Sequence, residues 1–236
     1  HCGLVGSEMC IRDSTYLAAL SHMRRVTSPL VRSQPHFEAR DLHPTQWGRL
    51  CPNETPEGQN CGLVKNAAQM IDVSEEVPED EVKALLSEAG VNSNPEGWAE
   101  GSRIHVNGDI FGLHKDPNRL VSQFKRRRRQ GKIRSEVSLR HDALNRDIFI
   151  NTDRGRMLRP LLILDGGNLT LTPEDLDRLR SGEWSFNDLV TNGIVEWVDA
   201  EEEEDLLIAP RPFDLPEVSP KYGRPINPAK VEWLNL

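Results

Sequence analysis

The sequence predicts an α+β fold of several small mixed domains: a loop-rich N-terminal region, then two small domains that each combine an antiparallel sheet with helices. In the second half, apolar residues at helical spacing and short alternating runs follow one another, with turn residues between them. From residue 28 to residue 66 neither period is sustained, and Pro, Gly, His and Arg are frequent. Such a stretch is typical of a long structured loop, and such loops usually have a function.

The first predicted helix covers residues 15–25, with Ser14 as its N-cap and cations in its last turn, where they suit the helix dipole. Pro29 ends it. A second helix is indicated by apolar residues at i, i+3, i+4 and i+7 over residues 82–89, with Gly90 at its C-terminal end. Asn107 followed by Gly108, between alternating apolar residues, predicts a β-hairpin.

Asp116 as N-cap and Pro117 at the first helical position predict a helix that ends in five consecutive cations, residues 125–129. Thr172 begins another helix, which Gly182 stops, and a capping box begins a short helix at Ser185. Strands are predicted at residues 137–140, 147–151, 157–164, 194–198 and 206–208. The 157–164 strand is nearly all apolar, so we expect it to be central. Residues 199–205 are expected to form a solvated charged turn.

Composition excludes several classes of protein. With 29 basic and 37 acidic residues among 236, the formal net charge is −8, which excludes a polycation that binds nucleic acid by bulk charge alone. Apolar runs are strand-sized, far below the length of a membrane span, so a membrane protein is excluded. Five scattered tryptophans are expected to anchor cores rather than to stack on bases: Trp47, Trp98, Trp184, Trp197 and Trp233.

The cysteines predict reduced thiols in a cytoplasmic protein, because four of them in 236 residues form no disulfide scaffold and no C-x2-C pair. A zinc site built from Cys51, Cys61, His43 and His36 is left open, although the cysteine spacing fits no compact knuckle.

Both ends of the chain differ from the rest. Residues 1–14 open without Met and lack the features of a signal peptide, so we interpret them as a probable non-native leader, with a disordered native leader as the alternative. Residues 221–236 stop on apolar side chains and are interpreted as a truncated tail.

The densest group of chemically capable side chains lies in the loop-rich region: Arg32, His36, Glu38, Arg40, Asp41, His43, Arg49, Glu54, Glu57 and Lys65. No hydrolase, metalloprotease or phosphate-loop motif organises them, so composition alone favours a salt-bridged loop over a self-contained active site. For residues 125–129, a phosphate-contacting role and a role as a solvated helix end or dock for an acidic partner both stay open.

Three long stretches carry a specific resemblance: LSHMRRVTSPL at residues 20–30, FEARDLHPTQWG at residues 37–48 and CPNETPEG at residues 51–58. They resemble the second-largest subunit of multisubunit DNA-directed RNA polymerase, of the archaeal B-subunit type and related to the bacterial beta subunit. The resemblance covers roughly residues 15–210. It implies a fork region at residues 15–76, an external 1-like domain at residues 77–159 and an external 2-like domain at residues 160–220.

The resemblance implies that the chain shapes the active-centre cleft near the downstream edge of the RNA–DNA hybrid. The implied chemistry is two-metal phosphoryl transfer, with Mg²⁺ held by the largest subunit and none held by this fragment, which alone is expected to be inactive. The implied partners are the other polymerase subunits, the largest above all, with the DNA template, nascent RNA and nucleoside triphosphates. Residues 125–129 then belong to an external domain, which favours a surface or subunit contact for them.

The residues expected near nucleic acid or the active centre are Arg24, Arg25, Arg32, Arg40, Glu57 and Lys65. The arginines supply cations that position phosphates without reading sequence. Arg40 and Glu57 are expected to lie closest to the nucleotide-addition site, as tuners rather than as acid or base. His22, His43 and Glu54 are secondary candidates, and no catalytic residue is expected in this fragment.

Two alternatives stay open. One is a freestanding nucleic-acid-binding or assembly module derived from the polymerase fork. The other is a small metal-dependent hydrolase that uses His36, His43, Cys51 and Cys61, and it requires a bound metal.

Overall fold

The structure, a computed structural model, describes residues 15–93, 101–165, 168–209 and 233–235. The predictions for the leader, for Trp98, for residues 210–220 and for most of the tail lie outside the described residues. The chain divides into two compact units, His1–Ile71 and Asp72–Leu236. None of the described helices combines the length and apolar character that crossing a membrane requires.

The first unit contains short elements separated by loops. Its helices are α1 (Tyr16–Met23) and α2 (Phe37–Arg40), its strands are β1 (Arg25–Thr27) and β2 (Val64–Asn66), and its 3₁₀ turns are Pro44–Gln46 and Gly58–Asn60. The two strands pair antiparallel, with Val26 opposite Lys65.

Helix α1 differs from its prediction at both ends. Thr15, not Ser14, is the N-cap, and its hydroxyl accepts a hydrogen bond from the Ala18 N–H at 3.2 Å. The helix ends at Met23 because Arg24 has left helical geometry and Arg25 already pairs in β1. Strand pairing therefore places Arg25 on a sheet edge rather than in a last helical turn.

The first unit has a very small core. Among its described residues, Leu63 and Val64 are the large apolar side chains that are buried. Exposed instead are Tyr16, Leu17, Met23, Leu30, Val31, Phe37, Leu42, Trp47 and Met70, which we call the exposed apolar set. Trp47 is 67% exposed, so the prediction that it anchors a core is wrong.

The second unit contains the sheets and most of the helices. Its helices are α3 (Glu79–Glu88), α4 (Pro117–Arg129), α5 (Pro173–Ser181), α6 (Phe186–Thr191) and α7 (Ala200–Glu203). Its strands are β3 (Asp72–Val73), β4 (Ser102–Val106), β5 (Asp109–His114), β6 (Ser138–Asp142), β7 (Asp147–Asn151), β8 (Met157–Asp165), β9 (Asn168–Leu169), β10 (Val195–Val198), β11 (Ile208–Ala209) and β12 (Trp233–Asn235).

One sheet has the strand order β5-β4-β7-β6. The predicted hairpin joins β4 to β5, and Asn107 and Gly108 have φ of 50° and 94°, the left-handed geometry that a tight hairpin turn requires. The pair β4 and β7 is parallel, so this sheet is mixed rather than purely antiparallel. Its apolar face, with Ile104, Ile148 and Ile150 fully buried, forms one core with α3 and α4.

The other sheet has the order β10-β8-β12-β11, and β3 and β9 also pair with β8. Strand β8 is central and almost entirely buried, as its apolar run predicts. The boundary expected between residues 159 and 160 falls inside this strand. Helix α6 begins at the predicted capping box on Ser185. Helix α5 begins at Thr172 as predicted, and the structure adds a capping box there with Asp175.

The expected solvated turn at residues 199–205 is wrong. Asp199 caps helix α7, and its carboxylate accepts a hydrogen bond from the Glu202 N–H at 2.8 Å. Glu202 is 0% exposed. Glu201, Glu204 and Asp205 are exposed, but Glu202 is buried because Arg128 of α4 reaches it.

Candidate nucleic-acid interface

A polar groove of about 650 Å³ crosses the first unit beside β1 and β2. It brings together two of the residues expected near nucleic acid, Arg25 and Arg32, and two of the secondary candidates, His22 and Glu54. Arg25 and Arg32 are exposed cations, so the groove offers two sites for phosphate oxygens. Glu54 adds one carboxylate to the same wall.

The carboxylate of Glu54 is tied to helix α1. The Ser21 hydroxyl donates to Glu54 Oε1 at 2.5 Å, and the side-chain amide of Asn66 donates to the Glu54 backbone carbonyl at 3.2 Å. Asn66 is buried at the end of β2 and also lines the groove. Sequence reasoning missed Asn66, because its partners Ser21 and Glu54 lie far from it along the chain.

Arg40 holds the loop together from within. Its Nε donates to the Pro35 carbonyl at 2.6 Å, and Nη1 donates to the carbonyls of Gln59 and Cys61 at 2.9 and 2.6 Å. Nη2 reaches the carbonyls of Arg32 and Gln34 at 3.5 and 3.3 Å. The guanidinium is therefore directed at backbone carbonyls of two loop segments, which differs from the phosphate-directed role expected from the sequence.

Gly62 allows the backbone to pass close to Arg40. Its φ is +73°, and a Cβ there would lie 2.7 Å from the Arg40 carbonyl oxygen. Lys65, half-buried on β2, donates from Nζ to the Ala39 carbonyl at 3.4 Å. These close approaches join Gly62 and strand β2 to helix α2.

A second groove, of about 810 Å³, lies in the same unit and is mainly apolar. Arg24, His43 and Glu54 line it together with Leu42 and Trp47. Arg24 donates from Nη2 to the Ala67 carbonyl at 2.6 Å. The groove thus joins predicted polar residues to part of the exposed apolar set.

His43 and Glu57 occupy the starts of the two 3₁₀ turns. The Thr45 N–H donates to His43 Nδ1 at 3.3 Å, so the imidazole caps the turn Pro44–Gln46. Glu57 is exposed before the turn Gly58–Asn60, and its side chain does not cap that turn. It lies outside both grooves.

Across residues 15–93, 101–165, 168–209 and 233–235, the structure contains no group of three or more His, Cys, Asp or Glu side chains that could hold a metal ion. Cys51 is half-buried and Cys61 is exposed, both as free thiols. The hydrolase alternative, built on these cysteines with His36 and His43, therefore has no assembled site among the described residues.

The cationic run at the end of α4 is divided between interior and surface: Arg128 is buried, Arg126 is exposed and the other three are half-buried. The expected surface role is therefore wrong for Arg128. The Arg128 side chain is 1% exposed and bonds to two buried carboxylates, with Nε 2.8 Å from Glu196 Oε1 and Nη2 2.6 Å from Glu202 Oε1. Arg129 also reaches Glu196, at 3.1 Å. Lys125 lies over the Trp233 ring, 4.4 Å from its centre. Helical rotation therefore sends most of the run toward the second sheet.

These buried charges alter one another's pKa values. Burial favours the protonated acid at Glu196, but Arg128 and Arg129 outweigh it and lower the pKa of Glu196 to about 2. Burial raises the pKa of Glu202 above its ordinary value, although Arg128 opposes the rise. The Arg128 pKa is raised by the two glutamates, so the guanidinium is charged at every accessible pH.

Family profiles match the chain in three places: RNA polymerase Rpb2 domain 3 at residues 11–73, domain 4 at residues 104–165 and domain 5 at residues 186–231. The chain belongs to the Rpb2 family of RNA polymerase second-largest subunits. The first Rpb2 match begins within residues 1–14, and the last extends past residue 210.

Curated relatives agree with the Rpb2 profiles. DNA-directed RNA polymerase subunit Rpo2 of Sulfolobus acidocaldarius is 42% identical over 229 residues, which covers 90% of this chain and 20% of the relative. DNA-directed RNA polymerase II subunit RPB2 of Meyerozyma guilliermondii is 37% identical over 237 residues, which covers 89% of this chain and 19% of the relative. The chain thus spans about a fifth of the length of these relatives.

Proposed function

We propose that this chain works as part of the second-largest subunit of an archaeal-type DNA-directed RNA polymerase, where it shapes the active-centre cleft near the downstream edge of the RNA–DNA hybrid. The observation that carries the proposal is the exposed apolar set of the first unit, which falls in the stretch that matches Rpb2 domain 3. So many large apolar side chains left exposed on one small unit are typical of a surface that other protein segments cover. Contacts with other segments of an assembly therefore cover the exposed apolar set of this unit.

The polar groove supports the nucleic-acid side of the proposal. Arg25 and Arg32 are exposed cations on a unit whose loops are fixed by Arg40. Cations held on a shaped loop position a phosphate backbone without reading its sequence. The proposed ligands of the whole enzyme are template DNA, nascent RNA and nucleoside triphosphates, and its proposed location is the cytoplasm.

The catalytic metal is proposed to lie elsewhere in the enzyme. The Mg²⁺ of two-metal nucleotidyl transfer is assigned to the largest subunit, as the resemblance to the second-largest subunit implies. This chain contributes surface and positioning, and on its own it is expected to make no RNA. The archaeal type is supported by the 42% identity to Rpo2 against 37% to a eukaryotic RPB2.

The test replaces the matching segment of Rpo2 in a reconstituted archaeal polymerase with this chain. We expect template-dependent RNA synthesis from the reconstituted enzyme and none from the isolated chain with Mg²⁺, template and nucleotides. Synthesis by the isolated chain would refute the assignment of the metal to another subunit. An enzyme that assembles with the replacement but is inactive would refute the equivalence to Rpo2.

A further inference from the structure

A groove of about 560 Å³ lies in the second unit, between the C-terminal end of α3 and the exposed face of α4. We call it the basic groove. Its polar lining includes His114, Lys115, Arg119, Gln123, Arg126 and Arg127. It therefore stands out from a chain whose net charge is −8.

The imidazole of His114 is set to donate into this groove. The Asp116 N–H donates to His114 Nδ1 at 3.1 Å, so in the neutral ring the proton lies on Nε2. That nitrogen faces Gly90, where an added Cβ would be 4.0 Å away. Gly90 also lines the groove, so the Nε2–H points into it.

The two carboxylates that line the groove already have partners. Glu88 pairs with Arg127 at 3.6 Å, and Asp116 Oδ1 accepts a hydrogen bond from the Arg119 N–H at 3.1 Å as the N-cap of α4. Lys115, Arg119 and Arg126 are exposed, and within the described part of the chain the structure gives them no ion pair. The groove thus presents donors and positive charge without a matching free carboxylate.

We propose that the basic groove binds an acidic segment of a protein partner. Carboxylates are the complement of a lining made of ammonium, guanidinium and imidazole donors. A single-stranded nucleic acid is less well matched, because none of the described residues that line the groove is Phe, Tyr or Trp, and base stacking needs such rings.

The proposal goes beyond the nucleic-acid role of the first unit and uses none of its residues. Its test measures binding of a labelled, unstructured glutamate-rich peptide to the full chain by fluorescence anisotropy, in parallel with labelled oligothymidylate. The groove variant combines Arg119→Glu with Arg126→Gln. Glu at the third position of α4 suits the helix N-terminus, so this variant is expected to fold. The matched control, Lys132→Glu with Arg134→Gln, makes the same charge change at exposed residues outside the groove.

We expect the peptide to bind, with affinity that falls as salt rises, and the groove variant to weaken it by about fivefold or more. The control variant is expected to change affinity less than about twofold. Equal losses in the two variants would show diffuse charge attraction and overturn the proposal. Tighter binding of oligothymidylate with the same dependence on the groove would replace the acidic partner with nucleic acid. Absence of binding by the peptide to the folded chain, confirmed by circular dichroism, would also overturn it.

Discussion

In the first unit, where few apolar side chains are buried, hydrogen bonds from the Arg40 side chain stabilise the loops. Arg40 joins residues 32–35 to residues 59–61 through hydrogen bonds to their carbonyl groups. This arrangement needs the Gly62 backbone to pass against Arg40. A guanidinium suits the role because its five donors are fixed in one plane. Loop shape in this unit is therefore sensitive to single atoms around Arg40.

Gly62→Ala is expected to destabilise the first unit by about 2 kcal/mol, through strain at positive φ and a clash with the Arg40 backbone. The control is Gly58→Ala, which has a similar φ of +76° but nothing within 4 Å of the new Cβ. Hydrogen exchange of residues 32–36 and 59–63 measures the local effect. Equal acceleration in both variants would show that φ strain alone, and not the close approach, controls the loop.

At the scale of elements, helix α4 is fastened to the second sheet by buried ion pairs. Arg128 uses all of its donor groups on Glu196, Glu202 and the Val137 carbonyl. The Trp233 indole N–H donates to Glu196 at 3.0 Å, so β12 joins the same network. Such a network fixes how elements pack, and losing one member leaves an uncompensated buried charge.

Arg128→Met is expected to destabilise the second unit by about 3–5 kcal/mol, because Glu196 and Glu202 are left buried without their cation. Adding Glu196→Gln and Glu202→Gln to the same variant is expected to restore much of the loss. Arg126→Met, on the exposed side of the same helix, is the control and should change stability by less than about 0.5 kcal/mol. Urea unfolding followed by tryptophan fluorescence measures the three variants. A loss in Arg126→Met as large as in Arg128→Met would contradict the buried network.

The same network predicts acid sensitivity. Because the pKa of Glu196 is lowered from 4.5 to about 2, its stabilising contribution is complete above pH 4.5 and is lost as the pH falls toward 2. The lowered pKa values of Asp147 and Asp199 act in the same direction. The raised pKa of Glu202 acts above pH 4.5, where protonation of its buried carboxyl adds stability as the pH falls, and so lies outside this window. The free energy of unfolding is therefore expected to fall as the pH falls through this window, with a slope that corresponds to about one or more protons taken up on unfolding. Glu196→Gln should flatten the slope, and an unchanged slope in that variant would contradict the assignment.

On the scale of the whole molecule, the two units differ in how they are stabilised. The second has continuous apolar cores under both sheets, whereas the first exposes many large apolar side chains and buries few. This difference is what the proposed place in a polymerase requires of a unit covered by other chain segments. An isolated chain should therefore show its exposed apolar set to solvent.

Hydroxyl-radical footprinting is expected to label Trp47 and Phe37, which are 67% and 75% exposed, strongly in the isolated chain. The same residues should be protected in a reconstituted polymerase that contains the chain. Trp233, at 2% exposed, is the internal control and should be protected in both states. Unchanged labelling of Trp47 and Phe37 after assembly would argue against coverage of this surface by the enzyme.

Local signals account for most of the second unit. Sequence analysis predicted the hairpin at Asn107 and Gly108, the helix starts at Thr172 and Ser185, and the central strand β8. Each could be predicted because a few neighbouring residues decide those structures. The family assignment was also readable, since long stretches of unusual composition carry it. His22, Arg25, Arg32 and Glu54 were each candidates from the sequence, but their meeting in one groove was not predicted. Residues far apart in sequence meet there through the pairing of β1 with β2.

The sequence by itself determined the α+β class, the order of most helices and strands, and membership of the Rpb2 family. Tertiary structure decided which charges are free. The Arg40 guanidinium donates to backbone carbonyls of its own unit. Arg128 and Glu202 form a buried ion pair, and within residues 125–129 Arg126 alone is exposed without an ion pair among the described residues. The physical reason is that a charge is solvated or buried according to which distant element reaches it, and spacing along the chain does not contain that information.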